Sequence, residues 1–338
     1  MVRFEEKMLT TRFSGSDGKP MHHTIVHRID PVTGSSVRLT GRRPMDPAAL
    51  EGTVPDISEQ VEKTRGCPFC PGNLEKMTPL FCEHGPEAGR FRRGQSVLFP
   101  NLAPYGRNSG VCIFSKDHHI EMGQFGAALY VDAIKNCLDY MMSVQSADPD
   151  STYQVLSQNI LPSSGGSLLH PHLQVNVDVE PMNYHRFVAA RSGSGSGCLP
   201  GALRDAEVQE GRRLIAQSNC WTLWAAFAPL GEWEVQAAAP EVTGIAQLKG
   251  EALDELVSLV LKVHSYWRAK GRNAGNMALF ATTTSDHGLF LRMLPRSSYR
   301  NWYRSDRSCY EVGMLEPASD LMPETLALQM REFFREQQ

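Results

Sequence analysis

The densest set of reactive side chains in this chain is Asn159-Ile-Leu-Pro-Ser-Ser-Gly165-Gly166-Ser167-Leu-Leu-His170-Pro-His172-Leu-Gln174-Val175. Residues two apart on a strand share a face, so His170, His172 and Gln174 are expected on one side. Leu173, Val175 and Val177 then point to the other side and pack. The preceding loop offers two glycines and three serines, whose backbone N–H groups and hydroxyls can approach a phosphate closely. A neutral imidazole is nucleophilic at physiological pH. Its attack on phosphorus splits one displacement into two easier steps, with a phospho-linked histidine between them. His172 can do this when an acceptor holds its other ring nitrogen. With no carboxylate in the motif, a nearby backbone carbonyl is the expected holder. Gln174 would donate a neutral hydrogen bond to a phosphoryl oxygen without passing a proton to water, which favours transfer over hydrolysis. The bland alternative is a polar strand whose histidines are satisfied structurally, and the attached glycine and serine loop argues against it.

A second constellation, Cys67-Pro-Phe69-Cys70-Pro-Gly-Asn73, brings two thiols together at the spacing of a metal knuckle. Structural zinc takes four ligands, so from spacing alone the pair is either half of a zinc site or two reduced core cysteines.

The elements that must position these residues are legible as pattern. Strands are expected at Ser96 to Pro100 and Gly110 to Ser115. A helix with Leu129, Ala133, Cys137, Tyr140, Met141 and Val144 on one face follows, then strands at Tyr153 to Gln158 and Leu169 to Val177. The run Arg191-Ser-Gly-Ser-Gly-Ser-Gly197 breaks the composition and places a boundary between residues 1–195 and 196–338. Beyond it come strands at Trp221 to Pro229 and Glu232 to Ala238, and a helix with Leu253, Leu256, Val257, Val260, His264 and Trp267 on one face. Strands at Met277 to Ala281 and Leu289 to Leu294 close the series. Each half reads strand, strand, helix, strand, strand, which predicts a duplicated α+β unit with mainly antiparallel sheet and packed helices. Residues 1–60 are polar and turn-rich, with one hairpin from Ile25 to Leu39 around Asp30-Pro-Val-Thr-Gly34.

Composition narrows the partners. With 338 residues, 41% apolar and 21% charged, and a formal net charge of -3, no global positive field points to nucleic acid or an anionic membrane. A small-molecule partner fits better. Apolar runs are far shorter than a bilayer span, and the N-terminus has no apolar h-region, so the expected location is the cytoplasm. Eight cysteines are too sparse in 338 residues for a disulfide scaffold.

The order Asn, Gly, Ser, His-Pro-His, Gln from Asn159 to Gln174 resembles the active-site signature of the galactose-1-phosphate uridylyltransferase family, the transferase branch of the histidine-triad superfamily. The resemblance implies two tandem histidine-triad-like units, catalytic in the first and without catalytic histidines in the second. It assigns His172 to the nucleotidylated histidine and Gln174 to the position where the hydrolase branch has a third histidine. Asn159, Ser167 and Gln174 match positions that bind nucleotide phosphates and ribose or steady the intermediate, and Gly165-Gly166 matches the phosphate loop loosely. The segment His27-Arg28-Ile-Asp-Pro-Val-Thr-Gly34 with Arg42-Arg43-Pro44 is similar to the family's N-terminal stretch, making Arg42 and Arg43 the basic candidates. Val97-Leu-Phe-Pro-Asn101 adds Asn101 beside the base. The resemblance also completes the metal set as Cys67, Cys70, His118 and His170, with zinc as the cofactor and His119 the rival to His118.

Its departures matter. Leu289-Phe-Leu-Arg292-Met293 lacks the alternating histidines that hold a second metal in some members, and Arg292 is either a phosphate ligand or a surface arginine. Cys309-Tyr-Glu-Val-Gly-Met-Leu-Glu316 resembles the segment that enters the partner subunit's site, but Glu316 is one position out of register and no glutamine follows where galactose enzymes have one. The expected function is transfer of a nucleoside monophosphate between a nucleotide sugar and a sugar phosphate in carbohydrate metabolism, by a homodimer. Alternatives are a nucleotide-sugar or dinucleoside-polyphosphate phosphorylase using inorganic phosphate, and a catalytically inactive zinc-stabilised nucleotide-binding protein.

Overall fold

The computed structural model describes residues 2–41, 53–192, 198–283, 288–301 and 305–337. In chain order its strands are β1 (Glu5–Ser14), β2 (Pro20–Ile29), β3 (Ser36–Leu39), β4 (Phe91–Arg93), β5 (Ser96–Pro100), β6 (Asn108–Ile113), β7 (Tyr153–Ile160), β8 (His172–Asp178), β9 (Leu214–Gln217), β10 (Thr222–Ala225), β11 (Val235–Ala239), β12 (Gly275–Thr282), β13 (Leu289–Pro295) and β14 (Ala318–Ser319). The helices are α1 (Ser58–Lys63), α2 (Leu74–Met77), α3 (Ala127–Ala147), α4 (Asn183–Ser192), α5 (Leu199–Glu210), α6 (Glu251–Ala269), α7 (Cys309–Val312) and α8 (Pro323–Glu336).

Among the described residues, ten strands form one sheet in the order β4-β5-β6-β8-β7-β12-β13-β11-β10-β9. Read from its two edges toward the middle, each half runs first, second, third, fifth, fourth strand, with the long helix between the third and fourth. The architecture is therefore α+β and is one five-stranded antiparallel unit used twice. The units join where β7 pairs with β12 over eight residue pairs, from Gly275 opposite Ile160 to Thr282 opposite Tyr153. Each unit has one strand more than its apolar pattern shows, because β4 and β9 are only three and four residues long. The expected boundary near residue 195 falls outside the described residues.

Helices α3 and α6 pack side by side on one face of the sheet. Their apolar residues recur at helical spacing, so Tyr130, Ala133, Ile134, Cys137, Met141 and Val144 on α3 are buried, as are Leu253, Leu256, Val257, Val260 and Trp267 on α6. They share one core with Leu173, Val175 and Val177 of β8, each fully buried. Burial thus leaves the other face of β8 for chemistry.

That opposite face differs between the units. In the second it is plugged: Tyr184 and Val188 of α4 and Leu199 and Leu203 of α5 pack onto Trp224, Ala238 and Phe290. A four-stranded sheet, β1-β2-β3-β14, adds Val26, Val37 and Leu39 against Phe227 and Ala228. Most of β1 is exposed on both sides, so it carries no apolar alternation to announce it. No helix among the described residues is long and apolar enough to cross a membrane.

Candidate active site

Strand β8 begins at His172 rather than near Leu169, and its pairing fixes what lies around that residue. Ile113 sits opposite His172 on β6, and Val111 opposite Gln174. On the other side Ser157 of β7 pairs with Gln174, and continuing this register sets Asn159 across from His172. His172, Gln174 and Asn176 therefore share a face with Ser157 and Asn159. Beside them Val97, Phe99, Val111 and Ile113 form an apolar platform with Phe69 of the cysteine knuckle.

His172 is only 6% exposed, with the Phe69 ring edge-on at 5.5 Å. Its Nδ1 lies 2.9 Å from the carbonyl oxygen of His170. A carbonyl only accepts, so Nδ1 carries the proton and Nε2 keeps its lone pair. Nε2 has no hydrogen-bond partner among the described residues. Burial pushes the His172 pKa below the ordinary imidazole value, while the His170 carbonyl acts in the opposite direction. The ring is thus a neutral imidazole with one free nitrogen.

The loop before it is built around Leu161, whose φ of 67° and ψ of 162° place a non-glycine residue in a region normally left to glycine. Its buried side chain holds it there, in the core beside Ile160. The reward of this geometry is local. The Leu161 carbonyl accepts from the Ser164 N–H at 3.1 Å, the Ser164 hydroxyl at 2.7 Å and the Gly166 N–H at 3.3 Å. Gly165 adopts φ +93°, and a Cβ on Gly166 would stand 3.1 Å from the Leu161 oxygen and 3.3 Å from that of Asn159. Both glycines are thus required by backbone geometry. Gly165 and Ser167 are exposed at the mouth of the loop.

His170 precedes the strand in a bend and is fully buried, with the Phe69 ring edge-on to it at 6.0 Å as it is to His172. There Cys67, Cys70, His118 and His170 bring four donor atoms within 4.8 Å of one another. Cys67 Sγ is 3.7 Å from Cys70 Sγ and 3.7 Å from His170 Nδ1, and Cys70 Sγ is 3.3 Å from His118 Nδ1 and 3.9 Å from His170 Nδ1. Tetrahedral zinc with ordinary bond lengths requires about 3.8 Å between two sulfurs and about 3.6 Å between sulfur and nitrogen. The donor set fits that ion. Each histidine is also held from behind, His170 Nε2 by the Ser115 carbonyl at 3.0 Å and His118 Nε2 by the Thr64 hydroxyl at 3.0 Å. Those partners leave both Nδ1 atoms free to coordinate. Burial pushes the Cys67 thiol up to about 11 and His170 down to about 4, so both are held neutral without a metal. His119 stays outside this cluster.

Other candidates are placed as follows. Asn101 has its amide engaged within the chain, donating to the Ser109 hydroxyl at 3.3 Å and accepting from the Ala103 N–H at 3.0 Å. Arg42 and Arg43 lie outside the described residues. Arg292 is neither a phosphate ligand nor a surface residue: it is buried in the plugged face of the second unit, donating to Glu234 at 2.7 Å beneath the Tyr184 ring. Glu316 ties its segment to its own chain through Arg38 at 2.9 Å and the Ser36 hydroxyl. Sequence reasoning missed Asn276 of β12, which touches Asn159. A lone asparagine in a strand outside any motif gives no signal.

No family model matches the chain. An uncharacterized protein of Archaeoglobus fulgidus is 29% identical over 330 residues, covering 94% of this chain and 95% of that one. Among solved structures, an ADP-glucose phosphorylase from Arabidopsis thaliana with bound ADP-glucose superposes with a TM-score of 0.66 at 18% identity, over 90% of this chain and 98% of that one. A uridylyltransferase superposes with a TM-score of 0.63 at 18% identity, over 92% and 98%. The class is thereby defined at the level of fold: a doubled α+β unit of the kind found in those two structures. Within that class the chain is similar to both a phosphorylase and a uridylyltransferase across nearly their whole length.

Proposed function

We propose that this chain transfers a nucleoside monophosphate from a nucleotide sugar to a phosphate-bearing acceptor through a covalent adduct on His172. One observation carries the reading: a buried imidazole, proton fixed on Nδ1 by a carbonyl, keeps its Nε2 lone pair beside a glycine and serine loop. In the first step Nε2 attacks the phosphorus bonded to the donor's bridging oxygen, and the sugar phosphate or other phosphate leaves with that bond's electrons. In the second an acceptor phosphate oxygen attacks the same phosphorus and frees the imidazole. Loop N–H groups, Ser167, Asn159 and Gln174 are the groups assigned to phosphate oxygens in both steps. Arg42, Arg43 and Asn101 complete the proposed nucleotide contacts.

The Cys67, Cys70, His118 and His170 set is assigned to zinc, which holds the knuckle against the start of β8 and so keeps Phe69 on the His172 ring. When bound, the ion supplies rigidity to a closed site with no open position for substrate. All eight cysteines are free, which supports a reducing cytoplasmic location. Exposed Tyr310, Val312, Met314 and Leu315 support a homodimer contact near α7.

The acceptor has two readings. The likeness to an ADP-glucose phosphorylase favours inorganic phosphate, and the likeness to a uridylyltransferase favours a hexose phosphate. Intact-mass measurement after mixing with UDP-sugars and ADP-sugars is expected to show a nucleoside-monophosphate adduct, absent in His172→Asn. Turnover with phosphate against hexose phosphates then separates the acceptors. Unlabelled wild-type protein with every donor, together with tight nucleotide binding that His172→Asn leaves unchanged, would instead support an inactive nucleotide-binding protein.

A further inference from the structure

Among the described residues the second unit has no histidine on its sheet, yet it reaches the site of the first through one side chain. Asn276 of β12 pairs directly with Asn159 of β7 across the seam. Its Nδ2 donates to Asn159 Oδ1 at 2.5 Å and to the Ser164 carbonyl at 2.8 Å. Its Oδ1 accepts from Arg296 Nη1 at 3.1 Å. Arg296 in turn is clamped by Asp306, with Nε and Nη2 each 2.8 Å from a carboxylate oxygen.

An asparagine amide can ordinarily point either way, because its oxygen and nitrogen ends are alike in shape. Here both ends of Asn276 face groups that cannot change role. Guanidinium only donates, so it takes the oxygen, and the Ser164 carbonyl only accepts, so it takes the nitrogen. The second Nδ2 hydrogen is then forced on Asn159, which must answer with Oδ1. That leaves Asn159 one choice toward the space in front of His172, its N–H donors.

We infer that Arg296 and Asn276 are positioning residues of the second unit, fixing Asn159 so that it presents donors, and never an acceptor, to the phosphate being transferred. The inference rests on the proposed nucleotidyl transfer and names how one phosphate contact is oriented. An acceptor at that place would meet the negative charge of the phosphoryl oxygens, so orientation decides between attraction and repulsion. The relay also spans the loop, since the same Nδ2 holds the Ser164 carbonyl.

The test compares Asn276→Asp with Asn276→Ala, reading the rate of His172 labelling at saturating UDP-glucose or ADP-glucose, whichever labels the wild type. Alanine leaves Asn159 free to adopt either orientation, and a loss of two- to tenfold is expected. Aspartate offers only oxygens, turns the Asn159 N–H donors toward itself and leaves Oδ1 facing the phosphate. A loss above a hundredfold is expected, although aspartate keeps the size and the Arg296 contact. A role confined to the Ser164 loop would also suffer more from aspartate, whose oxygen opposes that carbonyl, so the double variant decides between the two. In an Asn159→Ala background the difference between aspartate and alanine at 276 should vanish. If it persists, the effect runs through the Ser164 loop and the relay is overturned. Should Asn276→Asp fail to fold, Asn159→Asp serves instead: it keeps an oxygen on Asn276 and replaces the donors with an acceptor, and labelling at the wild-type rate would overturn the inference. A wild type that labels while both position-276 variants label equally sinks only the relay. A wild type that no donor labels sinks the transfer reading, and the relay with it.

Discussion

Removing the proposed metal is the perturbation whose effect can be worked furthest. Four donors spaced for tetrahedral zinc come from three separated segments: the knuckle at Cys67 and Cys70, the loop at His118, and His170, two residues before β8. At free zinc about a thousandfold above the dissociation constant, binding to the folded state alone stabilises it by about 4 kcal/mol. Unfolding entropy near 2.1 cal/mol/K per residue over 338 residues comes to roughly 710 cal/mol/K, so stripping the ion should lower Tm by about 6 °C. Calorimetry with and without a strong chelator reads this directly, beside elemental analysis of protein purified without chelator. Thiol counting gives an independent view. Cys82 and Cys309 are exposed and should react with a thiol reagent in either state, whereas Cys67 and Cys70 should react only after chelation. Because Phe69 between the two cysteines lies against His172, His172 labelling should fall with the metal as well. Protein isolated with no bound metal, whose Tm and thiol count the chelator leaves unchanged, refutes the assignment.

Three further outcomes are expected. Gly166→Ala places a Cβ against two backbone oxygens and should cost about 1–3 kcal/mol in chemical denaturation; a fall of at least tenfold in His172 labelling should accompany it. Arg292→Leu leaves the Glu234 carboxylate, itself fully buried, without its cation and should destabilise by about 3–5 kcal/mol, much of it recovered by adding Glu234→Gln. His264, buried in the core beside Tyr130, has its pKa pushed by burial from 6.5 to about 3, so the folded state favours the neutral ring. Its contribution is present above pH 6.5 and is lost as pH falls toward 3, at up to about 1.4 kcal/mol per pH unit. Denaturation curves of wild type and His264→Leu should therefore diverge in slope across that window, and parallel curves would exclude the effect.

What could be read from residues alone follows from where local pattern and tertiary need coincide. Leu173, Val175 and Val177 alternate because one face of β8 meets α3, and α3 and α6 show helical spacing because each buries one stripe. The motif at 159–174 is legible because its glycines answer to backbone geometry within the same loop. His170 is different: it lies in the bend two residues before β8 begins, and only the tertiary cluster with Cys67, Cys70 and His118 shows what surrounds it. The hairpin of β1 and β2 is missed in its first strand because exposure on both faces removes alternation. Arg292 is misread because a charged residue in an apolar strand gives no hint that Glu234, 58 positions away, neutralises it.

The same asymmetry explains why the duplicated fold offers one candidate reacting centre among the described residues. Both units present an equivalent sheet face opposite their long helices. On the first, the residues there are His172, Gln174, Ser157 and Asn159, flanked by a loop whose carbonyls and N–H groups are partly committed inward. On the second, α4 and α5 press Tyr184, Val188 and Leu203 onto Phe290 and Ala238, and Arg292 closes on Glu234 inside that packing. Opening the second face would expose this apolar layer and unpair a buried charge, so the plug is held by the same forces that make a core. Freed from chemistry, that unit presents Asn276 at the seam, where an arginine and a carbonyl together leave its amide a single orientation. A site built on a rigid seam between two packed units holds its polar groups more narrowly than one carried on a loop alone.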